Sequence, residues 1–176
     1  MTRLNVAGLL REPAGTARTV ELGPLNWTDP TAPGGRRLLG SLRLQRTNRG
    51  IVVNGRVRTV ARRSCIRCLD EFDEPVDLAI SEEFLPSVDP GTGAVLTADP
   101  VDADVARIDA HHELDLAPIL ADELLLAEPM HPLCRPDCRG LCPVCGRRLD
   151  DGACDHAEIA VDPRLAALAD WKPPTE

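Results

Sequence analysis

The chain predicts an α+β fold: an antiparallel β-meander covered by one main helix, with a small C-terminal zinc-binding module. Three observations carry this. Apolar and polar residues alternate through much of 37–81, the period of half-buried strands. Residues 115–128 carry the one strong apolar stripe at helical spacing. Five of the seven cysteines fall between Cys134 and Cys154. At 176 residues the chain is one domain plus a small appended module, with a core over 1–130 and a cysteine-rich segment over 131–176.

Residues 2–35 are weakly patterned. Val20 and Leu22 suit a short strand, while Pro13, Gly15, Gly23, Pro24, Pro30, Pro33 and Gly34 interrupt the rest. Over 37–47, Leu38, Gly40, Leu42 and Leu44 share one face and Arg37, Leu39, Ser41, Arg43 and Gln45 the other. Thr47-Asn48-Arg49-Gly50 is a turn. From Ile51 to Cys68 the alternation resumes. Val53, Val57, Thr59 and Ala61 point inward, and Arg56, Arg58 and Arg62 outward. A break at 70–74 precedes a third strand, with Val76, Leu78 and Ile80 facing in.

Residues 86–112 are rich in Pro, Gly, Asp and Ala and read as a long acidic loop. The helix follows at 115–128. Asp115 caps it, Pro118 sits in its first turn, and Leu116, Ile119, Leu120, Leu124 and Ala127 form its stripe over the sheet. Glu128-Pro129 ends it. A last short helix is expected from Asp162-Pro163 to about Trp171.

Composition narrows the function. Two Trp, two Phe and no Tyr argue against an RNA-binding sheet that stacks bases on aromatics. No run of about 18 apolar residues occurs. The N-terminus lacks the apolar stretch of a signal peptide, because Arg11 and Glu12 interrupt it. A cytoplasmic protein is expected, where cysteines favour metal or thiol chemistry over disulfides. The net charge of −8 conceals a segregation. Residues 36–69 hold ten Arg and no acid; residues 70–128 hold one Arg and 17 acids.

Metal ligation explains the cysteines best. Cys142 and Cys145 stand in CPVCG, where two thiolates three positions apart grip one ion and Gly146 permits a positive φ. Asp151-Gly152 is a hairpin-turn dipeptide, and Cys154 and His156 follow it. Cys134 and Cys138 form a further pair, and Cys65 and Cys68 stand in SCIRCLDEF at the end of the second strand. One partition makes Cys142, Cys145, Cys154 and His156 a zinc ribbon, and Cys65, Cys68, Cys134 and Cys138 a clasp between meander and tail. The rival is a single site from Cys134, Cys138, Cys142 and Cys145. For Cys65 and Cys68, a redox dithiol and inert core thiols are the other readings; redox dithiols usually open a helix, and here a strand ends. One or two structural Zn²⁺ ions are therefore expected.

The segments SCIRCLDEF, LDLAPILADELLLAEPMHPLC (Leu114 to Cys134), CRGLCPVCG (Cys138 to Gly146) and DPRLAAL (Asp162 to Leu168) together resemble the YceD family, named for accumulation of large-subunit ribosomal RNA. The resemblance covers roughly residues 36–170. His156 departs from it, standing where a cysteine is expected; imidazole serves zinc equally. The resemblance implies a cytoplasmic factor in biogenesis of the large ribosomal subunit, with ribosomal RNA or a ribosomal protein as partner.

Three function classes follow. The first is a non-enzymatic RNA-binding factor using Arg43, Arg56, Arg58 and Arg62, with Arg63 and Arg67 nearby, since guanidinium groups bind phosphates through paired donors. The bland account of these arginines is cross-strand pairing with Asp77, Glu82 and Glu83. The second is an enzyme. Four ligands per centre leave no place for a metal-bound water, there is no His-Glu-x-x-His, and His111-His112 sits in the acidic loop, so none is expected, nor any small-molecule substrate. The third is a zinc-stabilised protein–protein adaptor that never touches RNA.

Overall fold

The fold is seen in a computed structural model that describes residues 2–28, 35–97, 102, 104–152, 154, 156 and 164–165. Its elements, in chain order, are β1 (Arg3–Asn5), α1 (Ala7–Leu10), β2 (Ala17–Thr28), β3 (Gly35–Arg46), β4 (Ile51–Ser64), β5 (Glu71–Pro86), β6 (Ala106–Ile108), β7 (Glu113–Asp115) and α2 (Ala117–Leu126). The strands form one sheet in the order β1-β7-β6-β5-β4-β3-β2. All neighbours are antiparallel except β5 and β6, which run parallel.

This overturns the expected fold class. Of the described residues 46% are extended and 12% helical, and the sheet curls into a half-barrel. A meander under one covering helix does not describe it. The reason is length. A ten-residue α2 spans about 15 Å, whereas β4 and β5, at 14 and 16 residues, run to roughly 46 and 53 Å. The sheet covers its own apolar face by curling, and α1 and α2 fill what remains of the concavity. Leu38, Leu42, Ile51, Val53, Val57, Leu78, Phe84, Ile108 and Leu114 line it, with Leu9, Leu10, Leu116, Ile119, Leu120 and Leu124 from the helices and their flanks.

Two glycines permit the curl. A Cβ on Gly40 would lie 2.1 Å from the carbonyl oxygen of Arg56, and one on Gly55 would lie 2.2 Å from that of Ser41. Strands β3 and β4 approach at these points more closely than any side chain allows.

The outer strands depart from expectation for local reasons. β2 is a full 12-residue strand, not a short one around Val20 and Leu22. Its Gly23-Pro24 falls where the register shifts between Leu22 and Leu25, so the missing N–H of proline sits in a bulge on an edge strand. The region expected as a loop over 86–112 contains β6, and a turn in which Asp89 Oδ1 accepts hydrogen bonds from the Gly91 and Thr92 N–H groups. β5 covers all of 71–86, with the break earlier, at 65–70. α2 is shorter than the expected helix by two residues at each end. Asp115 Oδ1 accepts from the N–H of Ala117 at 2.9 Å, and Leu116 is the N-cap. The helix expected from 162 to 171 lies outside the described residues, apart from 164–165. Among the described residues no helix is long and apolar enough to cross a membrane.

Candidate metal centres and the arginine face

The β4–β5 connection is a Cys-x-x-Cys knuckle. The Leu69 N–H closes it on the Cys65 carbonyl at 2.9 Å, and Leu69 takes φ +62°. The second knuckle repeats it: the Gly146 N–H reaches the Cys142 carbonyl at 2.9 Å, and Gly146 has φ +70°. Both turns need a left-handed residue after the second cysteine, and only one has glycine there. A short hairpin continues from the second knuckle, pairing Leu141 with Arg148.

These turns bring together two sets of four donors, each with its ligand atoms within 4.8 Å of one another: Cys65, Cys68, Cys134 and Cys138, and Cys142, Cys145, Cys154 and His156. The first we call the inner centre and the second the outer. In the inner one, Cys65 and Cys138 sulfurs lie 3.9 Å apart and those of Cys68 and Cys134 3.7 Å. In the outer one, Cys145 and Cys154 sulfurs lie 3.7 Å apart, and Cys142 Sγ is 3.8 Å from His156 Nδ1. A disulfide requires about 2.05 Å, so these are not disulfides. Four sulfurs at about 2.3 Å from a central ion stand about 3.8 Å from one another at the corners of a tetrahedron. The inner separations match this spacing, and the outer set, with an imidazole in place of one sulfur, is of similar size, so each could hold a four-coordinate ion. The rival single site from Cys134, Cys138, Cys142 and Cys145 is not the grouping found.

Electrostatics points the same way. The backbone N–H of Cys134, opposed by burial, brings Cys65 down to about 6. The N–H groups of Cys145 and Val144 bring Cys142 down to about 6. Their companions move the other way. The Asp70 N–H favours the Cys68 thiolate, but burial and the adjoining thiols carry it up to about 12. Burial, then Cys145 and Cys142, pushes Cys154 up to about 11, and burial raises Cys134. In each cluster one thiol is lowered while a neighbour is raised, as expected of thiolates that repel each other. A divalent cation relieves that repulsion and lets all ligands deprotonate.

The centres differ in depth. Cys65, Cys68 and Cys138 are buried, with Phe72 and Leu133 packed on them. Cys145 is exposed, and a cavity of about 310 Å³ lined by Cys145, Arg147, Cys154 and His156 opens on the outer centre. The segment after α2, which carries Cys134, Cys138 and the outer ligands, is tied to the β4–β5 connection. Ile66 N–H donates to the Pro132 carbonyl at 3.0 Å, Leu141 N–H to the Arg67 carbonyl at 3.2 Å, and Arg148 pairs with Asp70 at 2.6 Å. Arg67, expected beside the arginine face, instead donates to the Cys138 carbonyl at 2.8 Å.

The arginine face is the convex side of β3 and β4. Arg43, Arg56, Arg58 and Arg62 are all exposed there. Arg63 is not part of it: it is 8% exposed on the concave side, pairs with Glu74 and Glu128, and donates to the Ala127 carbonyl at 3.0 Å, fixing the end of α2. The alternation places it there, since odd-numbered residues of β4 face inward. Of the three acids expected to neutralise the face, Asp77 does so, with Arg56 at 3.3 Å. Glu82 and Glu83 stand opposite Val53 and Val52, away from these arginines, and Arg62 pairs instead with Glu71 at 2.8 Å. Arg58 faces Asp77 in register, but Arg56 holds that carboxylate. Among the described residues Arg43 and Arg58 form no ion pair. Arg56 and Arg58 also line a shallow groove of about 460 Å³ with Glu21, Leu39 and Ser41.

Known proteins resemble the chain at the level of sequence. A family model described as "Large ribosomal RNA subunit accumulation protein YceD" matches residues 53–172. An uncharacterized protein of Mycobacterium tuberculosis is 33% identical over 133 residues, 76% of this chain and 61% of that protein. A Mycobacterium leprae protein is 29% identical over 135 residues, 76% and 58% of the two chains. A maize protein named "Large ribosomal RNA subunit accumulation protein YCED homolog 1, chloroplastic" is 27% identical over 166 residues, 81% and 57% of the two. The matched region thus spans about three fifths of each of these relatives. No solved structure matches the chain.

Proposed function

The chain belongs to the YceD family, and from that premise we propose that it acts without catalysis in the accumulation of the large ribosomal subunit, contacting ribosomal RNA through its convex arginine face and holding one Zn²⁺ in each centre. The observation that carries the RNA contact is the pair Arg43 and Arg58, exposed on the sheet and without ion pairs among the described residues. Arg56 and Arg62 have carboxylate partners but remain 74% and 69% exposed. Surface pairs of this kind hold only about 0–1 kcal/mol, so a phosphate can displace the carboxylate. Four protein ligands at each centre fill the zinc coordination shell and leave the metal a structural part. The reading implies a cytoplasmic protein, in a compartment where thiols stay reduced.

A second reading, an adaptor that binds a ribosomal protein and no RNA, is favoured by the Arg56–Asp77 and Arg62–Glu71 pairs and by exposed Leu125, Leu126 and Met130 near the end of α2. The two readings separate in one titration. Binding to fragments of large-subunit ribosomal RNA is measured across a salt series for the parent and for a variant with Arg43, Arg56, Arg58 and Arg62 all changed to Ala. The RNA reading expects weaker binding and a slope of log K against log salt shallower by about 0.9 for each phosphate the variant no longer neutralises. Unchanged affinity and slope would transfer these arginines to a structural role and leave the adaptor.

A further inference from the structure

The two centres share a ligand chemistry but not an environment. The inner one lies beneath Phe72 and Leu133, with Cys65 0%, Cys138 1% and Cys68 4% exposed. The outer one presents Cys145 at the surface and opens into a cavity that Arg147 helps line. Thiols that react are those that are reachable and set in an electropositive surrounding; buried ones are inert. Cys145 and Cys154 lie 3.7 Å apart, a separation that must shrink by roughly 1.6 Å to form a disulfide. Gly152, two positions before Cys154, takes φ +149°, a conformation that glycine adopts readily.

We infer that Cys145 and Cys154 form an oxidisable, metal-releasing pair for hydrogen peroxide, while the inner centre stays intact; this rests on the reading that both centres hold zinc. The Cys145 sulfur attacks peroxide. An S–O bond forms, the O–O bond breaks, and the departing hydroxide takes a proton to become water. The Cys154 thiolate then attacks the sulfenic sulfur of Cys145. An S–S bond forms, the S–O bond breaks, and the second hydroxide leaves as water. Two thiolates, one peroxide and two protons become one disulfide and two waters. Cys142 and His156 alone would remain as ligands, too few to keep an ion in the outer centre. Cys134, the least buried inner ligand, has Cys68 as its neighbour at 3.7 Å, and Cys68 is buried, so the second step of the oxidation lacks a reachable partner there.

The test uses the full chain loaded with zinc. Metal is counted by mass spectrometry before treatment. Peroxide is then added with a chromophoric zinc chelator present, and disulfides are mapped by proteolysis. The expected result is two zinc ions per chain at the start, release of one, and a Cys145–Cys154 disulfide in the map. Two ions of which neither leaves, or both leave at one rate, would overturn the inference alone. A chain that never takes up zinc would overturn the metal reading with it. A Cys154→His variant keeps a zinc-competent ligand but removes the disulfide partner, and its outer ion is expected to leave several-fold more slowly under the same peroxide. Release at the parental rate would overturn the pairing, and should that variant bind only one ion, the disulfide map of the parent decides.

Discussion

Leu69 holds a backbone conformation that its own side chain opposes. At φ +62° it occupies the left-handed region, which costs an L-residue with a Cβ about 1–2 kcal/mol. The residue is 66% exposed and recovers little by packing. Gly146 performs the same turn in the outer knuckle at no such cost. Leu69→Gly is therefore expected to raise stability by about 0.5–1 kcal/mol, the strain relieved exceeding the extra freedom of glycine in the unfolded chain. Thermal unfolding of the metal-loaded protein checks this, and a lowered midpoint would show that Leu69 packs on something it needs. At this scale the sequence is informative about ligands. Spacing alone puts Cys142, Cys145, Cys154 and His156 in one set and Cys65, Cys68, Cys134 and Cys138 in another as one of two partitions. It is silent about Leu69, although its position after a Cys-x-x-Cys, matching that of Gly146, is a signal that can be read. Arg63 misleads for a different reason. A charged residue looks exposed until the strand parity is carried to the end of β4.

Strand curvature is where the sequence reading gives way. The alternation in 37–81 identifies β3, β4 and part of β5 and their inward faces correctly, because one face of each is apolar and the other charged. Periodicity carries no information on curl. The decisive residues are Gly40 and Gly55, which look like weak points of a strand and are instead the places where two backbones meet. The short β1, β6 and β7, three residues each, hold too few positions to show any period. Gly55→Ala tests the account. Its new methyl group would sit 2.2 Å from the Ser41 carbonyl oxygen and 2.8 Å from Leu42 Cδ2, which forces β3 and β4 apart. A loss of about 2–3 kcal/mol in urea unfolding is expected, at the upper end for overpacking a core. A loss below about 0.5 kcal/mol, the ordinary effect of a surface substitution, would mean that the strands separate freely there and that the curl has another origin.

Two apolar clusters stand apart among the described residues. One lies in the concavity of the sheet, and the other surrounds Cys65, Cys68 and Cys138. Since the larger contains none of the proposed ligands, a strong chelator is expected to leave most of the strand signal in circular dichroism while making the segment after residue 131 sensitive to protease. Wholesale loss of strand signal would show that the metals hold the entire fold. The sheet joins its ends in an unusual order. β1 pairs with β7, so that Arg3 lies opposite Asp115, Leu4 opposite Leu114 and Asn5 opposite Glu113. Residues 3–5 precede their partners by the whole of β2 to β6. During synthesis β2 to β5 form their hairpins as each emerges, but β1 has no neighbour to join until residue 115 is free. With Val6, Leu9 and Leu10 attached to it, β1 is made before β2 to β6 and is placed after them. Contacts so distant in sequence slow folding, because a long loop must close before they form. Folding of the half-barrel is therefore set by the return of its beginning to its far edge.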